Sequence, residues 1–392
     1  MQNYIKCFEN IILFNNELYH DNSEKIYLNN RFNITYTIKN INLLPSNSLD
    51  NIEVYDNTIL YIEGFHGNMG HLLWDYMYPS WYGLFFNNET LWNNNFQWVT
   101  NFDLYQKWSK GPTAFGGGKG NNRGWHLDLL EKFSGFPVTT FNDLSNKYQK
   151  PIKIKKLICG IKNIGIACVN KDITISKSFR LHSLDPVETF VNRMFHRFQI
   201  KRNYYINDND NIINIIYIQN KRSYRGINEL FQILNSKYKN KYNFKIINLK
   251  NYTFEEQLNI FNTTRIIICG VGTARTNTPF IPNGSIEIQT NNHSNIPPNY
   301  ISFFDTHIGT FSNYVKVINI DKYLEHESKN QLVSKDLEFI IENTLTILPY
   351  NLKINILENI PKYVRENIDK ITNEQYLCWR NSGSNSIEDL LN

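Results

Sequence analysis

Three short segments carry polar residues at spacings suited to chemistry. The first is Asn68-Met-Gly-His71-Leu-Leu-Trp-Asp75. His71 and Asp75 stand four apart, so a helix through them places both on one face. An imidazole oriented by a carboxylate takes a proton from a hydroxyl near neutral pH. The same spacing also fits a capping or core histidine beside a surface aspartate. The second segment is Gln219-Asn-Lys-Arg222-Ser-Tyr-Arg225-Gly-Ile-Asn-Glu229. Arg222 and Arg225 suit a diphosphate by charge and planar geometry, and they equally fit a solvated basic turn. In the third, the apolar run Ile266-Ile-Ile-Cys269 meets Gly270-Val-Gly272-Thr273-Ala-Arg275-Thr276-Asn277. Glycines let backbone N–H groups approach a pyrophosphate, Thr273 and Thr276 add hydroxyls, and Arg275 offers a bidentate cation at a helix start. A plain strand–helix turn is the other reading. Glu287, one strand later, is placed for ribose hydroxyls or is an ordinary strand-end carboxylate.

The elements that must position these residues are legible around them. Thr58–Glu63 reads as a buried strand running into the Gly-rich turn Gly64–Gly70. Helical spacing of Leu72, Leu73, Tyr76 and Met77 follows, up to Pro79. Lys156–Gly160 is another buried strand, and Val187, Phe190, Met194 and Phe198 mark an amphipathic helix over 184–203. The tract Asn207-Asp-Asn-Asp-Asn211 reads as a linker. Beyond it strands at 212–219, 244–249, 265–269 and 285–288 alternate with helices at 226–238 and from Thr253, whose Thr253-Phe-Glu-Glu256 is a capping-box signature. Strict alternation predicts a parallel, doubly wound α/β sheet. Residues 330–392 read as helical, with Leu332, Leu337, Ile340, Ile341 and Leu345 on one face. The expected organisation is an N-terminal Rossmann-like domain over 1–205, a second over 212–330 that binds the nucleotide, and a helical extension over 331–392.

Composition removes several functions. The chain is 392 residues long, which suits two α/β domains. Its net charge of +5 is spread without a block of like charges, so a dedicated nucleic-acid surface is not expected. The densest basic stretch, Lys153-Ile-Lys-Lys156, alternates as an edge strand does. Cys7, Cys159, Cys168, Cys269 and Cys378 form no CxxC pair and imply a reducing compartment without a disulfide frame. His66, His126, His293 and His307 are scattered without metal-ligand spacing. Asp208-Asn-Asp210 matches an Asp-x-Asp metal motif but lies within an Asn/Asp tract. Gly116-Gly-Gly-Lys119 lacks the Ser or Thr of a P-loop. The first residues carry no secretory signal pattern and no apolar run reaches the roughly 20 residues of a membrane span, so a cytoplasmic location is expected.

Asn68–Asp75, Arg222–Glu229 and Val271–Asn277 occur in this order, and Pro282-Asn-Gly-Ser-Ile-Glu287 follows them. Together they resemble glycosyltransferase family 61, over roughly residues 55 to 320. The resemblance implies a GT-B architecture: two Rossmann-like domains facing a central cleft. It implies an inverting transfer of a sugar (GlcNAc, xylose or related) from a UDP-sugar donor to a hydroxyl of a glycan or glycoprotein, with no essential metal or other cofactor. Carried over by position, Arg222, Arg225, Gly272, Thr273, Thr276, Asn277 and Glu287 hold the nucleotide, and His71 and Asp75 face the acceptor. The family's His before Gly falls on Val271 here, which removes one donor to the diphosphate; Arg275, in place of a small or apolar residue, supplies a cation. Val271 motivates a second reading, a catalytically silent glycan-binding or scaffold protein of the same shape. An AT-rich coding bias and the lack of a leader suit a viral protein acting in host cytoplasm, or a microbial one.

Overall fold

The structure is a computed structural model that describes residues 6–29, 34–62, 69–86, 95–100, 125–159, 184–203, 212–219, 226–270, 273–282, 284–290, 316–319 and 334–352. Contacts divide the chain into one unit of residues 1–167 with 196–198, and a second of 168–195 with 199–392. The expected linker at 207–211 lies outside the described residues.

In the first unit the strands are β1 (Lys6–Phe14), β2 (Glu17–His20), β3 (Glu24–Asn29), β4 (Ile34–Asn40), β5 (Glu53–Tyr55), β6 (Ile59–Ile62), β7 (Gln97–Thr100), β8 (Thr139–Thr140) and β9 (Ile152–Cys159). They form one sheet in the order β3-β4-β2-β1-β9-β6-β7-β8, with β5 also on β9. The stretch β9-β6-β7-β8 is parallel, whereas β1 joins β9 antiparallel and carries the hairpin partners β2 to β4. The sheet is therefore mixed, and only its parallel part has the expected Rossmann-like form. Parallel strands need both faces covered. Ile59, Tyr61 and Val99 on one face pack with Phe141 and Leu144 of helix Phe141–Tyr148. Phe96 and Trp98, one residue out of phase, face the other way and meet Trp81 and Phe133. The basic strand β9 is not an edge: it lies between β1 and β6, with Ile152 and Ile154 fully buried and Lys153, Lys155 and Lys156 partly or fully exposed. Lys155 pairs with Asp56 at 2.5 Å.

The helical run after β6 differs from expectation. Met69–His71 is α-helical, Leu72–Met77 winds as a π-helix, and Tyr78–Phe86 returns to α. Pro79 does not end it. The proline falls in the first turn of the resumed α-helix, where a missing N–H costs least.

The second unit holds β10 (Ile213–Ile218), β11 (Tyr242–Ile247), β12 (Thr264–Gly270), β13 (Ile286–Thr290) and β14 (Lys316–Asn319), all parallel, in the order β11-β10-β12-β13-β14. Ile215, Tyr217, Ile266, Ile268, Ile286 and Ile288 meet Leu230 and Leu234 of helix Ile227–Lys237, and Leu337 and Ile341 of helix Ser334–Leu352. On the opposite face Phe280 contacts Phe254 at 5.9 Å and Phe195 at 6.3 Å, between ring centroids. Helices thus cover both faces, as strict alternation predicts. The helix expected over 184–203 stops at Arg197: Gln199 turns left-handed at φ 56° and the Ile200 N–H bonds back to Phe195 O at 3.0 Å, a Schellman closure.

The capping box at Thr253 forms in full. Thr253 Oγ1 accepts from the Glu256 N–H at 3.2 Å, and Glu256 Oε2 accepts from the Thr253 N–H at 2.7 Å. Thr253→Ala should lower stability by about 1 kcal/mol. An unchanged urea midpoint would remove the box from the stability of this helix.

Candidate functional site

Strand order decides where ligands bind in an open parallel sheet. Counted along the second unit, β11-β10-β12-β13-β14 is the order 2-1-3-4-5. The chain reverses direction between β10 and β12, and the crevice beyond their carboxyl ends is the binding position in such folds. The segment after β10 carries Arg222 and Arg225; the segment after β12 carries Gly272, Thr273, Arg275, Thr276 and Asn277. The carboxyl ends of β10 and β12 therefore lie at one sheet edge, on neighbouring strands, and each motif segment starts from one of them.

Local structure within these segments is partly defined. Arg222, Arg225, Val271 and Gly272 lie outside the described residues. Thr273–Phe280 is a 3-10 helix, so Thr273, Arg275 and Thr276 occupy its first turns by backbone position. Asn277 is buried at 2% exposure. Pro279 follows the first turns and limits how this stretch can continue as α-helix.

Glu287 sits deep in the sheet. It stands opposite Ile267, three residues short of the carboxyl end of β12, or about 10 Å below it. It is 0% exposed. Its neighbours Ile286 and Ile288 face the core on one side, so Glu287 faces the other, together with Cys269. Thr278 Oγ1 donates to Glu287 Oε2 at 2.9 Å and Cys269 Sγ lies 3.6 Å from Oε1. The carboxylate thus ties the central strands to the segment that carries Thr273 to Asn277. Thr278 was not among the residues marked by the sequence; its only sign there is a β-branched hydroxyl just before Pro279.

The first unit repeats the topological logic. Its parallel part, β8-β7-β6-β9, is the order 3-2-1-4, and the reversal lies between β6 and β9. The segment leaving β6 leads to His71 and Asp75. His71 ends the first α-helical turn and Asp75 lies within the π-helix. Single π turns inside α-helices concentrate at functional sites. In an α-helix a residue four positions on overshoots a full turn by about 40°. The wider i→i+5 winding removes that overshoot and keeps backbone positions 71 and 75 about one turn apart. The surrounding residues Leu72, Leu73, Trp74 and Met77 are all buried, which anchors this irregular stretch.

The thiols near these sites are quiet. Burial raises the Cys159 thiol well above its ordinary range, and Cys7 is raised for the same reason. Among the described residues no group of three His, Cys, Asp or Glu is placed to hold a metal ion, and no helix is long and apolar enough to cross a membrane.

Comparison with known proteins gives one family. The model described as Glycosyltransferase 61 matches residues 69–288, a span from the helix of His71 to the strand of Glu287. No curated protein matches the chain.

Proposed function

The chain belongs to glycosyltransferase family 61, and from that premise we propose that it is an inverting transferase of GT-B architecture. It moves a sugar such as GlcNAc or xylose from a UDP-sugar to a hydroxyl of a glycan or protein, without an essential metal. The second unit holds the donor, and the first supplies the base. The observation that carries this reading is that β10 and β12, the strands from which the two motif segments leave, lie side by side where the strand order reverses. There Arg222, Arg225 and Arg275 balance the diphosphate, and Gly272, Thr273, Thr276 and Asn277 line it with backbone and side-chain donors. Three cations take the part that a divalent metal plays in other transferases, stabilising the departing UDP as its charge develops. Glu287 serves the same site through Thr278, by fixing the segment that bears these groups.

Inversion follows from a single displacement. The acceptor oxygen attacks the anomeric carbon from the face opposite UDP, the base takes its proton, and the C–O bond to the diphosphate breaks with its electron pair leaving on UDP. His71 or Asp75 is that base, each steadying the other.

Nucleotide binding tests the donor half directly. A thermal-shift series should show a rise with UDP and none with NAD. In calorimetry, Arg225→Ala or Arg275→Ala should weaken UDP binding about tenfold or more, since charge-assisted bonds contribute about 1.5–3 kcal/mol each. A panel of UDP-sugars scored for donor hydrolysis then identifies the sugar. No response to any nucleotide, or unchanged UDP affinity in both variants, sinks the assignment.

A further inference from the structure

Among the described residues, Thr100 and Trp98 carry the unsatisfied polar atoms of the first unit's parallel core. Thr100 is 2% exposed and Trp98 is 0% exposed. Neither Thr100 Oγ1 nor Trp98 Nε1 has a hydrogen-bond partner. Buried polar groups are almost always paired, and an orphan asks for an explanation. Their neighbours follow that rule. Gln97 Nε2 donates to the Trp98 carbonyl at 3.0 Å, Tyr55 donates to Gln97 Oε1 at 3.1 Å, and Thr140 Oγ1 accepts from the Asp143 N–H at 2.9 Å.

Position gives the orphan hydroxyl a meaning. Thr100 is the last residue of β7, paired in parallel register with Ile62, the last residue of β6. It therefore stands on the carboxyl edge of the sheet, beside the strand that leads to His71 and Asp75. Alternation along β7 sets its side chain on the face of Phe96 and Trp98. That face is covered by the helical run after β6, since Trp81 contacts Phe96 at 6.3 Å between ring centroids. The hydroxyl thus shares both an edge and a face with the segment that bears the proposed base. Trp98, one pleat deeper, is enclosed by the rings of Phe96 and Phe133.

We infer that Thr100 is an acceptor-binding residue whose hydroxyl bonds a hydroxyl of the incoming acceptor, holding the nucleophile for deprotonation. The inference rests on the proposed transferase reading. A single hydroxyl in a buried position discriminates well, because an acceptor without the matching group leaves it unpaired. It also means that the free enzyme carries a small local cost that the acceptor relieves.

Thr100→Val keeps the shape of the side chain and removes the hydroxyl; Thr100→Ser keeps the hydroxyl. Transfer is measured from the UDP-sugar that the hydrolysis panel selects, to a panel of methyl glycosides and a serine-containing peptide, alongside melting temperature. In Thr100→Val the acceptor KM should rise about tenfold, the loss of one hydrogen bond, while donor KM holds. Its melting temperature should stay level or rise, because an orphan polar group has left the core. Thr100→Ser should restore the acceptor KM. An unchanged acceptor KM in Thr100→Val, with the wild type active, overturns the inference alone. A lower melting temperature with both KM values unmoved also overturns it, assigning the hydroxyl to a buried water or to the fold. A wild-type protein that binds UDP yet transfers to none of these acceptors overturns the acceptor-side reading and this inference with it.

Discussion

His71→Ala and Asp75→Asn should each reduce turnover by at least about 100-fold while leaving UDP affinity intact. General acid–base groups contribute about 10²–10⁴ in rate, because the proton must leave the attacking hydroxyl as the new bond forms. In the proposed arrangement the base belongs to the first unit and the diphosphate to the second, so its loss should spare nucleotide binding. The two residues are separated by a full turn of an irregular helix, Met69–His71 followed by the π-helix Leu72–Met77. Such a winding is less favourable than regular α-helix and persists when its surroundings demand it. Leu73 and Met77, both 0% exposed, supply that demand. Comparing the two variants assigns the roles. If His71 is the base, Asp75→Asn keeps some activity by preserving a hydrogen-bond partner for the ring, whereas His71→Ala loses the proton acceptor outright. If Asp75 acts directly, Asp75→Asn is the more damaging. Near-normal turnover in both variants places the base elsewhere and withdraws the first-unit site.

The π-helix marks a limit of sequence reading. Leu72, Leu73, Tyr76 and Met77 fit an α-helical template, and one i→i+5 turn shifts that pattern by too little to be read from apolar spacing. Pro79 then suggested a terminus, because the resumed α-helix was not foreseeable. The second unit is far more legible. Strands β10, β12 and β13 are short apolar runs rich in Ile, and two of its helices begin with Gly226 or with the Thr253 box, whereas β14, Lys-Val-Ile-Asn, carries too weak a pattern to be read. The first unit is not, because its antiparallel part joins the parallel part through β1 and β9, more than 130 residues apart, a pairing that local patterning cannot specify. The basic strand β9 departs from expectation because long lysine side chains keep their heads near water even on a central strand. The motif segments are visible as residue types, yet the adjacency of the strands they leave from, β10 and β12, emerges only from the fold.

Glu287 shows the same division, and it yields the strongest expected effect on stability. Glu287→Ala should cost about 3 kcal/mol or more, a large share of the roughly 5–15 kcal/mol that holds a protein folded. The side chain is 0% exposed and accepts from Thr278 at 2.9 Å, so its removal leaves a hydroxyl unpaired and a void in a covered face of the sheet. Thr278→Val should cost about 1.5–3 kcal/mol, the value of one bond to a carboxylate. Glu287→Gln should cost less than Glu287→Ala, because the amide oxygen still accepts from Thr278. Urea unfolding followed by circular dichroism measures all three. Calorimetry with UDP separates two roles for the carboxylate. As a brace, Glu287 loses stability first, and Thr278→Val weakens UDP binding along with it, since the segment from Thr273 to Asn277 is no longer held. As a direct ribose ligand, Glu287→Gln weakens UDP binding while Thr278→Val does not. The central position of Glu287 opposite Ile267, well below the carboxyl edge, favours the brace. Unchanged stability in Thr278→Val would show that the bond carries nothing and would return Glu287 to the ribose role.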